Sequence, residues 1–192
     1  MRRTMLFIPG NSPAMLLNAD IHQSDAVILD LEDAVAPAEK DSARILVRNA
    51  IKTLGFSGTE IIVRLNPLDT DYLQDDLDMV IPLKPSLVMP TKVSDAAYIL
   101  EVSRMMAEAE EKHGVPVGTV GIIALLETAE GIENAYQIAK ADPRVKALFL
   151  GAEDLTSDLQ AARTKKGDEI LYARGRIVMA ARWMCTTPPL PT

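Results

Sequence analysis

Two apolar runs in this sequence end in carboxylates. Val120 to Leu126 leads straight into Glu127, and Val145 to Leu150 leads through Gly151 and Ala152 into Glu153 and Asp154. In parallel α/β architectures, polar residues at the carboxyl ends of strands converge on one face, which is where such folds bind ligands. Glu127 and Asp154 lie about one βα unit apart, so adjacent strand ends could bring them together. Two bare carboxylates repel unless a cation or a proton sits between them. Magnesium suits the pair, because it takes one or two carboxylates and fills its other positions with water and substrate oxygens. The plainer alternative is that each acid simply answers the macrodipole of the helix that follows.

Arg64 sits in the strand-like run Glu60-Ile61-Ile62-Val63-Arg64-Leu65-Asn66-Pro67. A guanidinium there needs an anion, either a substrate carboxylate held through two hydrogen bonds or a neighbouring strand's acid in a buried pair. Asp30 and Glu32 could supply that acid, since they end the second apolar run and share one face by period-two alternation. With Asp33 they are expected around the same mouth, supporting metal waters or pairing with Arg3 and Arg64; for Asp33 an exposed acidic loop is the alternative. His22 and His113 fall at helix ends or in loops away from this cluster, and the methionines read as scattered core filler.

The elements that must position these groups alternate. Strands are expected at Met5 to Ile8, Ala26 to Leu31, Glu60 to Leu65, Leu87 to Met89, Val120 to Leu126 and Val145 to Leu150. Helices are expected at Pro13 to Ala19, Pro37 to Leu54, Leu73 to Val80, Ser94 to His113, Ile132 to Ala141 and Asp168 to Arg182. Pro37 suits a first helical turn, and Ser94-Asp95 offers a cap. Runs apolar on both faces, such as Gly121-Ile122-Ile123-Ala124-Leu125-Leu126, imply parallel strands covered on both sides. The reading is an α/β fold of (β/α)8 TIM-barrel type, cut to about six βα units, because a whole barrel takes roughly 250 residues. A doubly wound open sheet is the alternative, but no Gly-rich dinucleotide or phosphate-binding fingerprint follows any strand.

Composition narrows the function. The chain has 192 residues, 48% hydrophobic and 24% charged, with 27 acids against 20 bases for a net charge of -7. That suits one globular domain and provides no overall basic field for nucleic acid or an anionic membrane. One cysteine and two histidines exclude an internal disulfide and a Cys/His zinc site. The apolar run after Arg2-Arg3 is stopped by Pro9-Gly10, too early for a secretory signal, and no run reaches the roughly 20 apolar residues of a membrane span. A cytoplasmic location is expected.

Several segments together carry a resemblance. Arg2 to Asn11 (RRTMLFIPGN), Asp25 to Val35 (DAVILDLEDAV), Val63 to Asn66 (VRLN), Leu126 to Gly131 (LETAEG), Gly151 to Leu155 (GAEDL) and Tyr172 to Arg174 (YAR) span nearly all of residues 2 to 182. The chain resembles the citrate lyase β-subunit family, within the acyl-CoA and malyl-CoA lyases and the HpcH/HpaI aldolase superfamily. The resemblance implies a magnesium-dependent (β/α)8 lyase. Its reaction would split a citryl thioester, on an acyl carrier protein (γ subunit) or CoA, into oxaloacetate and an acetyl thioester. It further implies Glu127 and Asp154 as Mg2+ ligands, Arg64 and Glu127 as substrate contacts, and Arg3, Glu32 and Asp33 as supporting residues around the mouth or toward the thioester carrier. Expected partners are the α subunit, the carrier protein and further copies of the β subunit. A free-standing citramalyl-CoA or malyl-CoA lyase, and a non-catalytic fragment that only pairs with other subunits, are the alternatives. The general base is unassigned; in related lyases an acid from the C-terminal part of a neighbouring subunit serves. Met89-Pro90-Thr91-Lys92 departs from the Leu-Pro-Lys of many relatives.

The resemblance ends at Arg182. Residues 1–182 are therefore expected to form a partial barrel domain and 183–192 a tail foreign to the family. Trp183-Met184 read one base earlier encodes Asp-Val, and the following codons permit Tyr-Asp-Ala-Pro-Phe-Thr-Asp, as in relatives. The expectation from this is a frameshifted end.

Overall fold

A computed structural model of the chain describes residues 2–56 and 58–186, with the backbone alone for 183–186. Most of the expected tail at 183–192 thus lies outside the described residues. Strands and helices alternate: β1 (Met5–Pro9), α1 (Pro13–Leu17), β2 (Ala26–Asp30), α2 (Lys40–Thr53), β3 (Glu60–Arg64), α3 (Tyr72–Val80), β4 (Leu87–Met89), α4 (Ala96–Lys112), β5 (Gly121–Leu126), α5 (Ala129–Glu133), α6 (Ala135–Lys140), β6 (Val145–Leu150), α7 (Ala152–Asp158) and α8 (Leu171–Thr186). All six expected strands form. The chain divides into two compact units, residues 1–89 with 105–121, and residues 90–104 with 122–192.

In the first unit β1, β2, β3 and β4 lie side by side in chain order, all parallel. A doubly wound sheet would reverse its strand order; this sheet does not. The register aligns Pro9, Asp30, Arg64 and Met89 in one row at the carboxyl ends of the four strands. Paired residues of parallel strands point to the same side, so Asp30 and Arg64 share a face. Every residue of β2 is buried, which is why its sequence reads as a continuous apolar run rather than an alternation. At Gly10 a Cβ would stand 2.6 Å from the Asp30 carbonyl oxygen, so only glycine lets the turn after β1 close on the end of β2. Helix α2 opens with a single 3-10 turn at Pro37–Glu39 that has proline at its start, as its fixed φ favours. Glu110 of α4, buried, accepts the backbone N–H groups of Gly118 at 2.8 Å and Val120 at 3.1 Å and so fixes the approach to β5.

In the second unit β5 and β6 pair in parallel, with an irregularity between Ile122 and Ile123 that leaves Leu126 opposite Leu150. The segment after β4 also lies along β5, through Val93 N–H to Leu125 O and Leu125 N–H to Pro90 O, both at 3.2 Å. Asp95 accepts the Tyr98 N–H at 2.8 Å and caps α4, as the Ser94-Asp95 pair suggests. Two local features depart from the sequence reading. The helix expected at Ile132 to Ala141 is two short helices interrupted at Asn134, whose side chain donates to the Ser94 carbonyl. A short helix, α7, follows β6 directly; it is not among the helices expected from periodicity, and only the macrodipole alternative for Asp154 implies it. Among the described residues no helix is long and apolar enough to cross a membrane.

Candidate functional site

Arg64 ends β3 facing two acids of its own unit. Its Nε donates to Asp30 Oδ1 at 2.8 Å and its Nη2 to Asp30 Oδ2 at 2.5 Å, while Nη1 stands 3.2 Å from Glu32 Oε2. The guanidinium carbon also lies 5.2 Å from the centroid of the Phe7 ring, within cation–π range. Burial pulls the Arg64 pKa down, but the hydrogen bonds and charge of Asp30, with Glu32 and Asp33 adding to them, carry it above the ordinary arginine value. Of the two readings open for Arg64, the buried ion pair is the one this structure contains. It does not remove Arg64 from ligand chemistry, because a fork held on one edge by Asp30 presents a fixed direction on the other.

The loop that carries these acids is tightly held. Asp30 Oδ1 accepts the Glu32 N–H at 2.8 Å, and the Leu31 N–H donates to the Arg64 carbonyl at 3.0 Å. Asp30 and Glu32 are buried and Asp33 is exposed, so Asp33 follows the solvent-facing alternative. Arg3 is not brought to this cluster. It precedes β1 and pairs with Asp25, which precedes β2, through its Nη2 at 3.0 Å and its backbone N–H at 2.8 Å. Its place at the amino end of the strands, one strand length from Asp30, corrects the expectation that put it around the mouth.

In the second unit, Glu127 follows β5 immediately and is 3% exposed. Its Oε1 accepts the backbone N–H of Lys92 at 2.8 Å. Lys92 has a left-handed φ of 53°, the geometry that aims its peptide at the carboxylate. Gly151 follows β6 and faces Glu127; a Cβ there would be 2.6 Å from Glu127 Oε2 and 2.7 Å from its Cβ. Glu127 therefore lies in a cradle that glycine alone leaves open. Thr128 caps α5 by accepting the Gly131 N–H at 3.1 Å, and Asp158 accepts the Ala129 N–H at 2.7 Å.

Glu127 and Asp154 line one open cleft of about 260 Å³, together with Lys92, Thr128, Ser157 and Asp158. Asp154 lies in the first turn of α7, so the macrodipole reading fits its position. Glu127 precedes the cap of α5 and lies outside any helical turn, so that reading does not account for it. Among the described residues Asp154 makes no side-chain hydrogen bond or ion pair. No set of three or more His, Cys, Asp or Glu residues among those described could enclose a metal. Of the three carboxylates on this open cleft, Asp158 is engaged by the Ala129 N–H, and Glu127 with Asp154 matches magnesium, which takes one or two carboxylates and keeps several waters.

Sequence reasoning placed Glu127, Asp154, Arg64, Asp30 and Glu32 at strand ends. It missed the Lys92 peptide N–H, because a backbone donor leaves no mark in residue type, and the Gly151 cradle, for which a glycine facing a buried acid was the available signal. His22 closes a 3-10 turn, and His113, just past α4, contacts Asp78 at 3.3 Å. Neither joins the cluster.

Parallel strands with polar groups at their carboxyl ends define a class: an α/β protein with acids suited to a hard cation in one unit and an arginine suited to an anionic ligand in the other. The family model described as HpcH/HpaI aldolase/citrate lyase matches residues 3–185, and the chain belongs to that family. It is 43% identical over 182 residues to the citrate lyase subunit beta of Leuconostoc mesenteroides subsp. cremoris, covering 95% of this chain and 60% of that protein. The chain thus spans about three fifths of the length of this curated relative. A solved structure of the citrate lyase beta subunit from Mycobacterium tuberculosis complexed with oxaloacetate and magnesium superposes with a TM-score of 0.73 at 31% identity, covering 94% of this chain and 74% of that one. Another, of the CitE protein of M. tuberculosis in complex with magnesium, acetoacetate and coenzyme A, gives a TM-score of 0.74 at 31% identity, with coverages of 96% and 64%.

Proposed function

We propose that this chain supplies the magnesium- and substrate-binding residues of a carbon–carbon lyase that splits a citryl thioester, on an acyl carrier protein or CoA, into oxaloacetate and an acetyl thioester. The observation that carries the reading is Glu127, a buried carboxylate seated against Gly151, held by the Lys92 N–H and sharing a cleft with Asp154. The relatives bound to magnesium with oxaloacetate, or with acetoacetate and coenzyme A, support it. In this reading the six βα units belong to a (β/α)8 barrel.

Glu127 and Asp154 are the magnesium ligands, and Glu127 also borders the substrate. When bound, the metal supplies Lewis-acid polarisation of the substrate hydroxyl and its adjacent carboxylate. The chain's own residues do the rest of what is assigned here. The Lys92 N–H fixes Oε1 of Glu127 and so orients the carboxylate. Arg64 holds the carboxylate that departs with oxaloacetate; its Asp30 and Glu32 contacts keep the guanidinium oriented. Cleavage passes the bonding electrons to the acetyl thioester as an enolate, and a general base outside the residues assigned here takes the hydroxyl proton. Asp33 supports the mouth as a surface charge. The α subunit, the carrier protein and further β subunits are the partners in this reading.

The test measures release of the oxo acid, with and without Mg2+: oxaloacetate from citryl carrier protein in the presence of the α subunit and from citryl-CoA, glyoxylate from malyl-CoA, and pyruvate from citramalyl-CoA. Magnesium-dependent release from a citryl thioester is the expected result. Turnover of malyl-CoA or citramalyl-CoA with none of citryl substrates assigns the free-standing lyase instead. Magnesium binding with no turnover of any of them leaves a subunit-pairing role.

A further inference from the structure

Lys40, the first residue of α2, is 7% exposed. Its Nζ donates to the Leu31 carbonyl at 2.8 Å and the Glu32 carbonyl at 2.7 Å, and lies 5.7 Å from the centroid of the Tyr72 ring. Two carbonyls and an aromatic face thus occupy the three N–H directions of the ammonium. We propose that Lys40 is a positioning residue that sets Arg64 for its anionic ligand by fixing the peptide of Glu32. This rests on the reading of Arg64 as substrate anchor.

The geometry links the three residues in sequence. The Glu32 peptide is gripped from both sides, its N–H by Asp30 Oδ1 and its carbonyl by Lys40. The Glu32 side chain reaches Arg64 Nη1 at 3.2 Å. The same Asp30 carboxylate that holds the Glu32 N–H also holds Arg64 Nε, so a shift of the Glu32 peptide is passed to the guanidinium along two routes. Burying a lysine is costly, and the burial pulls the Lys40 pKa down against the charges of Asp76, Glu32 and Asp30.

Holding the turn together does not require that cost. The Leu31 carbonyl also accepts Asn66 Nδ2 at 3.0 Å, and Asn66 is braced by Asp76, which in turn receives Arg44. The Glu32 carbonyl also accepts the Val35 N–H at 3.1 Å. Loss of Lys40 therefore orphans neither carbonyl. What it removes is a fixed cation at the peptide that aims Glu32 at Arg64.

The experiment compares Lys40→Met with the wild-type chain by two readouts. One is the affinity for oxaloacetate in the presence of Mg2+; the other is the 15N Nε–H cross-peak of Arg64, assigned with Arg64→Lys. In the wild type the cross-peak is protected from exchange by its bond to Asp30. In a folded Lys40→Met the cross-peak moves or broadens, and oxaloacetate binds about tenfold more weakly, with Mg2+ affinity unchanged. A folded variant that keeps both at wild-type values overturns the proposal, as does a shifted cross-peak with full affinity. If the wild type itself does not bind oxaloacetate, the proposed function fails, and the cross-peak still decides whether Lys40 sets Arg64. Lys40→Arg, read by the same two measurements, replaces Lys40→Met if that variant does not fold.

Discussion

Gly151 and Glu127 meet across the ends of β5 and β6 so closely that a methyl group on Gly151 would stand 2.6 Å from Glu127 Oε2. A backbone hydrogen bond from Gly151 N–H to Leu126 O at 2.9 Å fixes this approach, so the glycine cannot retreat without unpairing the strands. Gly151→Ala must therefore push Glu127 out of its cradle. The expected outcome is a folded protein less stable by about 1–3 kcal/mol, with magnesium affinity reduced by about tenfold or more. Thermal unfolding and metal titration on the same sample check both.

Arg64 and Asp30 form a buried pair whose value appears when one partner is removed. Asp30→Ala leaves a guanidinium whose side chain is 14% exposed with Glu32 as its one remaining ion-pair partner among the described residues, together with a Glu32 N–H deprived of its acceptor. A loss of about 3–5 kcal/mol is expected, read by denaturant unfolding. Arg64→Met with Asp30→Leu, which removes both charges, should recover much of it.

Asp25 gives a pH dependence of known sign. The Arg3 side chain, followed by the backbone N–H groups of Arg3 and Thr4, holds its carboxyl well below the usual aspartate range. A lowered folded-state pKa contributes stability that is present above the unfolded pKa of about 4 and disappears as the pH falls through the folded value. Asp25→Asn is expected to lower the melting temperature at pH 7, with the gap to wild type closing as the pH falls below about 4. A gap that is constant with pH would assign the effect to shape and not to charge.

Thr128 begins α5 by accepting the Gly131 N–H. Thr128→Ala is expected to cost about 1 kcal/mol without changing the strands, as seen by thermal melts and circular dichroism.

What the sequence made legible follows from where information sits in residue types. The buried strands β2 and β5 announce themselves because parallel strands covered on both faces are apolar throughout, and the acids after them stand out against that background. The break at Asn134 did not, since its cause is a side-chain bond to Ser94 far away in the chain. The short α7 was legible only through the acids of its first turn, Glu153 and Asp154, which also suit a helix macrodipole. Arg64 could not be resolved between ligand anchor and ion-pair partner, because both uses call for the same fork; only the distances to Asp30 and Glu32 separate them. Arg3 was misplaced although its position before β1, at the amino end of a strand, was readable from the same pattern.

The measurement that bears most directly on the account is a Mg2+ titration of the wild-type chain, Glu127→Gln and Asp154→Asn by calorimetry, with folding verified by circular dichroism. The account predicts one site in the wild type and a loss of at least about tenfold in affinity in each variant. Equal affinity in all three proteins would contradict it and move the magnesium site away from the cleft between Glu127 and Asp154.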